Sequence, residues 1–387
     1  MKRAVSLPLV SMAAAGLVAM VAGGVANQAA EPQAGGGGAK IEALTSKALG
    51  YLRLQRAEDG TYSRQRGPGV TAVVVAGILS TGRVSPDDPL VAPSLKYLEG
   101  ILFKSDGSVN TEALGGHGNY IASIIVMAMA EANRDGRYKV AIQQAERYLR
   151  RSQWDEDEQV EGMPVGPDHP FYGGAGYGGS RRPDLSNTQF LLDALKAAGA
   201  ESDDPAIQKA LVFVSRSQNL SSEFNSLPWA GKVNDGGFIY TAASGGASMA
   251  GKTADGGLRS YGSMSYAGLK SMIYAGLGPK DRRVAAAVAW ARRHYTLDEN
   301  PGMGQQGLYY YYHTMAKALD AFGEERFVDA KGRKHDWRRE MVEALARRQR
   351  ADGSWVNEAD RWYEGDANLV TGYALLALRH CRAKAGL

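Results

Sequence analysis

Side chains able to do chemistry gather in a few short phrases of this 387-residue chain. "GGHGNYIAS" carries His117 and Asn119, and "RPDLSNTQFLLDAL" carries Asp184, Asn187 and Gln189. "GGLRSYGSMSYAGL" carries Tyr261 and Ser263, "YYYYHTMAKAL" carries Tyr309 and His313, and "GDANLV" carries Asp366 and Asn368. A carboxyl such as Asp184 or Asp366 can serve as general acid or base where burial holds its pKa near the working pH. His313 can carry a proton or a metal. His117, Asn119, Asn187, Gln189, Tyr261, Ser263, Tyr309 and Asn368 offer amides, phenols and hydroxyls for holding a ligand, if separate elements bring them to one cavity. Each has a plain structural use as well. Asp184 follows Pro183 and precedes a helical run, which is the place of an N-cap.

The elements that must position these residues come from a repeat. A helix rich in Ala, Leu and Arg followed by a polar turn returns six times, with Gln55, Ile101, Gln153, Gln218, His294 and Gln349 in equivalent slots. The clearest copies, "ALGYLRLQRAEDGTYS" and "VEALARRQRADGSW", follow Gln55 with Gly60 and Tyr62, and Gln349 with Gly353 and Trp355. After each copy comes a second helix of small residues, expected near 70–79, 119–132, 184–198, 260–277, 308–322 and 367–378. In these stretches apolar residues recur three and four apart. Six helix pairs follow, none able to bury its apolar face alone. Ala and Gly along "VTAVVVAGIL" and "YAGLKSMIYAGL" allow close approach, so the second helices are expected as an inner ring. The Arg-bearing first helices are expected outside it. The predicted fold is all-α, an (α/α)6 toroid over 41–387.

The recurring Gln, Gly and aromatic phrase resembles the repeat of squalene and hopene cyclases, and "NDGGFIY" at Asn234 is similar to the repeat of protein prenyltransferase β subunits. The resemblance covers 41–387 and implies a terpenoid cyclase and prenyltransferase type of toroid, with chemistry where the inner helices begin. The cyclases carry an Asp-x-Asp-Asp motif there, whose middle Asp protonates an alkene. Here Asp184 and Thr188 match, but Ser186 and Asn187 replace the second and third carboxylates. The prenyltransferases hold zinc through an Asp-x-Cys pair and a distant His. Tyr261 and Ser263 stand at the first pair and His313 at the last, and one ligand of three cannot hold zinc. No cofactor and no metal is expected. The lone Cys381 excludes an internal disulfide, a thiolate zinc cluster and an internal thioester.

Lys2 and Arg3 precede an uncharged run to Ala30, the pattern of a signal peptide cleaved near Ala26, with 27–40 as a Gly-rich tether. The expectation is export to a periplasmic or extracellular space. An uncleaved anchor is the weaker reading, because the run is rich in Ala and Gly, and membrane contact is expected only through this segment. A formal net charge of +4 demands no nucleic acid. The Gly-rich segments starting at Phe171 and Gly245 are expected to cover the mouth of the ring, with Arg181, Arg182, Lys252 and Arg259 on a solvated face. The functional expectation is an exported toroid, divergent at both catalytic motifs, that binds a hydrophobic or polymeric ligand, or a protein, at its mouth. The alternatives are an isoprenoid cyclase or transferase with a non-standard acid, and a polysaccharide-acting toroid enzyme.

Overall fold

The structure, a computed structural model, describes residues 36–178 and 182–382. The N-terminal run, its cleavage point near Ala26 and Arg181 lie outside the described residues. In chain order the helices are α1 Gly36–Gln55, α2 Pro68–Ser80, α3 Ala92–Leu102, α4 Thr111–Leu114, α5 Gly118–Ala132, α6 Lys139–Arg151 and α7 Leu185–Ala197. They continue as α8 Pro205–Arg216, α9 Ala230–Val233, α10 Gly262–Tyr274, α11 Arg282–Arg293, α12 Leu308–Phe322, α13 Trp337–Arg348 and α14 Ala367–Cys381. The single turns α4 and α9 sit in connections, as do two small hairpins, β1 Gln159–Val160 with β2 Met163–Pro164, and β3 Phe327–Val328 with β4 Lys334–His335.

The inner ring runs α2, α5, α7, α10, α12, α14. Each packs on the next, and α14 packs back on α2, which closes the circle. Composition explains which helices go inside. α2 buries every residue from Val70 to Ser80, because one flank meets the outer helices and the other the axis. The stretch Thr111–Ala132 is apolar enough to cross a membrane by length and composition, yet more than half of its most apolar window is buried, and its main helix, α5, is part of this ring. The outer helices are one-sided: α6 buries only Ile142, Ala145 and Leu149, spaced three and four apart. Closure relies on small residues. A Cβ at Gly77 would stand 2.8 Å from the carbonyl oxygen of Gly372, so only glycine lets α2 and α14 meet at that height.

The repeated Gln stitches neighbouring units together. Gln153 Nε2 donates to the carbonyls of Gly173 and Ala206 at 2.8 and 2.9 Å, and Gln218 Nε2 to those of Gly236 and Arg283 at 2.9 Å each. Gln349 Nε2 donates to Leu44 and Gly353 at 3.0 Å, which joins the last unit to the first. Gln55 departs from the pattern. It is exposed, and Ser94 Oγ donates to the Gly60 carbonyl instead. Four of the turns are then pinned to their inner helices. The hydroxyls of Thr71, Thr188, Ser265 and Thr371 accept the backbone N–H of Tyr62, Ala175, Phe238 and Trp355 at 3.0 to 3.2 Å. Thr188 thus has a structural duty that the cyclase-like phrase around Asp184 did not reveal.

One boundary differs from expectation. α1 begins at Gly36 rather than after a tether ending at residue 40. Burial of Ile41, Leu44, Ala48 and Leu52 nucleates the helix, extension then gains a bond per residue fixed, and Lys40 pairs with Glu343 at 2.6 Å.

Candidate functional site

The approaches to the inner helices meet at one end of the ring, bonded to one another: Leu185 N–H donates to Tyr240 O, Asn119 N–H to Tyr177 O, and Gly262 N–H to Pro301 O. Asp184, buried, is the N-cap of α7. Its Oδ1 accepts Asn187 N–H at 2.9 Å and its Oδ2 accepts Asn187 Nδ2 at 2.7 Å. Tyr240 also hydrogen-bonds the carboxylate and shares a hydrogen bond with Tyr177. Burial pushes the Asp184 carboxyl up to about 6, against the opposing pull of Asn187, Tyr240 and Arg182. Asp366 caps α14, its Oδ1 accepting Asn368 and Leu369 N–H. α12 has no cap of its own at Gly307, and buried Glu364 supplies one from the approach to α14, with Oε1 accepting Tyr310 N–H at 2.8 Å. Burial raises the Glu364 carboxyl above its ordinary value even against these bonds.

Beneath the mouth four aromatic side chains converge on the axis. Tyr120 meets Phe190 at 5.3 Å between ring centroids, Phe190 meets Tyr310 at 6.1 Å, Tyr310 meets Tyr373 at 5.8 Å, and Tyr373 returns to Tyr120 through a hydrogen bond. These rings come from α5, α7, α12 and α14. α7 and α12 are separated by α10, and α5 and α14 by α2, so the aromatic side chains reach across the axis. Burial pushes the Tyr120 phenol up to about 12.

Next to these rings lies a charged layer. Gln189 Nε2 donates to Tyr310 Oη at 3.1 Å, while its Oε1 accepts Lys270 Nζ. Asp193 then pairs with Lys270 at 2.6 Å and Lys317 at 3.0 Å, its own side chain wholly buried. Burial drives the Lys270 ammonium down to about 7. Asp193 resists the shift, and Lys317 adds to it. Burial alone would raise Asp193, but the two ammoniums outweigh it and hold the carboxyl below its ordinary range. Two ammoniums share one carboxylate, and burial disfavours the charged form of Lys270 more than that of Lys317, which Asp193 holds above its ordinary value. Burial, with Lys317 beside it, likewise lowers His313 well below its ordinary value; its ring stacks on Tyr373 at 5.9 Å.

The sequence-expected residues therefore do not all line one cavity. His117 is exposed at the mouth, edge-on to Tyr177 at 5.2 Å. Tyr261 is buried beneath the mouth, and its phenol, raised by burial, feels Tyr310 and Asp184. Asn119 does not face a ligand, because its Nδ2 donates to Gly176 O and its Oδ1 accepts Ser152 Oγ. Asn187 serves Asp184, Gln189 serves the charged layer, and Asn368 Nδ2 donates to Ser63 Oγ. Ser263 lies by Asn300, whose Oδ1 accepts its N–H at 3.0 Å. Tyr309 turns away from the axis to meet Tyr312 at 5.7 Å, because residues three apart share a helix face while Tyr310 and His313 occupy the inward one. Among the described residues no group of three or more His, Cys, Asp or Glu could hold a metal. Asp193, Lys270 and Lys317 escaped the sequence reading, although a lone charge inside a helix of small apolar residues was the available signal.

No protein-family profile and no curated protein matches this chain. Solved structures do. A variant of the type II terpene cyclase MstE from Scytonema, in complex with geranylgeranyl dihydroxybenzoate as substrate, superposes with a TM-score of 0.52 at 11% identity, over 89% of this chain and 97% of that one. The apo form of MstE gives 0.51 at 12% identity, over 88% and 97%. The fold is that of a type II terpene cyclase. On this toroid Ser186 and Asn187 follow the capping Asp184, and aromatic rings from four inner helices meet across the axis. A family 88 glycosyl hydrolase from Bacteroides vulgatus also aligns, with a TM-score of 0.47 at 10% identity.

Proposed function

We propose that this protein is an exported binding toroid that takes a ligand or partner at its mouth and performs no isoprenoid cyclisation. The observation that carries the reading is the set of aromatic rings that meet across the axis. A cyclase of this kind needs a long apolar chamber that folds a polyprene and keeps water from its cations. Here Tyr120, Phe190, Tyr310 and Tyr373 occupy that path, with Lys270, Asp193 and Lys317 next to them. Cavities of about 490 and 350 Å³ lie off the axis, one lined by Tyr295, His335 and Glu340 and the other by Gly107, Gln144 and Tyr148. Three carboxyls at the mouth, Asp184, Glu364 and Asp366, cap helices.

A second reading keeps Asp184 as an acid, favoured by a carboxyl held near pH 6 beside the Tyr240 hydroxyl. One assay separates the two. The purified protein, incubated with squalene and shorter polyprenes, should yield no cyclic product. Asp184→Asn should keep its stability, because Asn caps comparably and the Asn187 Oδ1, unpartnered in the wild type, can turn to accept the new amide. Asp184→Ala should lose about 1–2 kcal/mol. Cyclic product that vanishes in Asp184→Asn at unchanged melting temperature would establish the enzyme. Export rests on Lys2, Arg3 and the uncharged run after them. N-terminal sequencing of secreted material should begin near Asn27, and intact Met1 on a cell-bound product would contradict it.

A further inference from the structure

We propose that the mouth recognises an anionic polysaccharide through an aromatic platform made by Trp362 and Tyr363, flanked by Arg66 and Arg361; the proposal rests on the binding reading above. Trp362 is 43% and Tyr363 52% accessible, two adjacent aromatic rings exposed together. The other exposed large apolar residues, Leu54, Val140, Met163 and Phe224, are scattered singly along the chain. The platform is also held in an unfavourable backbone. Both residues have positive φ, 60° and 66°, a left-handed conformation that bulky side chains avoid.

The surroundings keep it there. Glu364, next in the chain, is anchored by Tyr310 N–H at 2.8 Å and by Asn357 Nδ2 at 2.6 Å. Asp366 N–H closes the turn onto Tyr363 O at 2.9 Å, and Gly365 N–H bonds Asp360 Oδ1 at 2.8 Å. Gly307 leaves room for the indole, since a Cβ there would stand 3.1 Å from it. Folding energy thus holds two rings out in water, an arrangement the packing of the ring does not require.

Charge selects the ligand class. The Arg361 guanidinium lies 4.4 Å from the Trp362 ring centroid and that of Arg66 lies 4.6 Å from Tyr363. Arg361 bonds only neutral groups, Gln306 Oε1 at 2.6 Å and Met249 Sδ at 3.6 Å. Neither guanidinium has a carboxylate within ion-pair distance among the described residues. A guanidinium with no carboxylate partner attracts a carboxylate or sulfate, and an aromatic face takes the C–H face of a sugar ring. Uronic acid or sulfated sugar units present both. The exposed apolar surface amounts to two rings beside Asp360 and Gln306, too small for insertion into a bilayer. A net charge of +4 over the whole chain provides no basic track for a nucleic acid backbone.

The test uses the full chain, polygalacturonate, and neutral dextran of matched length, in affinity electrophoresis and titration calorimetry. Wild type should bind polygalacturonate and ignore dextran. Trp362→Ala and Arg361→Gln should each weaken binding about tenfold at unchanged melting temperature, and Trp362→Phe should recover most of it. Equal affinity for dextran, undiminished binding by both variants, or tighter binding to phosphatidylglycerol vesicles or single-stranded DNA would each overturn the proposal. Absence of binding to either polymer, with no polyprene turnover, overturns the polysaccharide assignment and leaves the mouth reading intact. Cyclic polyprene product overturns the mouth reading itself.

Discussion

Asp184 and Lys270 are both buried ionisable groups whose charged forms are disfavoured, and they answer pH in opposite ways. For Asp184 the folded value of about 6 stands above the ordinary 3.8, so the stability it adds is complete below pH 3.8 and is lost as pH rises through 6. For Lys270 the folded value of about 7 stands below the ordinary 10.5. Between pH 7 and 10.5 the unfolded chain holds a proton that the folded chain has released, so stability rises with pH by up to about 1.4 kcal/mol per unit. The buried tyrosines, whose phenols are raised, reverse the trend above about pH 10. Denaturant midpoints measured from pH 7 to 9.5 should therefore climb more steeply in wild type than in Lys270→Met. Parallel profiles would show that Lys270 stays charged in its pair with Asp193.

At the scale of the element, the unit of construction is a helix end, a turn and the next helix, joined by one amide. Gln218 satisfies two buried carbonyls, those of Gly236 and Arg283, on separate segments. Gln218→Leu leaves both without this donor and should cost about 2–3 kcal/mol. Gln55 occupies the same sequence slot but is exposed, and Ser94 has taken over the Gly60 carbonyl. Gln55→Leu should fall within about 0.5 kcal/mol of wild type. Chemical denaturation of the two variants side by side measures the difference. Equal losses would mean that the slot, rather than the bonds, carries the stability.

The whole molecule depends on a contact between its first and last inner helices. α2 and α14 approach through Gly77 and Gly372, and Gln349 bonds Leu44 across the same junction. Gly77→Val places a side chain against the Gly372 carbonyl and should open the ring at this junction first. Hydrogen exchange should accelerate in α2 and α14 together, at opposite ends of the sequence, while α7 and α10 keep their protection. Uniform acceleration would mean that the ring unfolds as one cooperative unit with no weakest joint. The crossing of the axis by side chains belongs to this scale too. Rings from four helices and charges from three occupy one column, and none of these residues is adjacent to its partners in sequence except through a helical turn.

Local regularities in the chain determined the ring itself. The Gln, Gly and aromatic phrase sets where each outer helix ends. Small-residue composition sets which helices go inside, and the expected inner stretches 308–322 and 367–378 match α12 and the body of α14. Both signals are legible because each depends on the period of one helix and the conformation of one turn. The caps were legible for the same reason, and Asp184 before its helical run is an N-cap as read. Only the tertiary structure decided what lies on the axis. Whether Tyr310 faces inward and Tyr309 outward depends on the rotation of α12 against its neighbours, and a sequence motif does not encode that angle. The pairing of Asp193 with Lys270 and Lys317, and the exposure of Trp362 and Tyr363, likewise arise from contacts among helices distant in sequence. Closing the ring made those contacts.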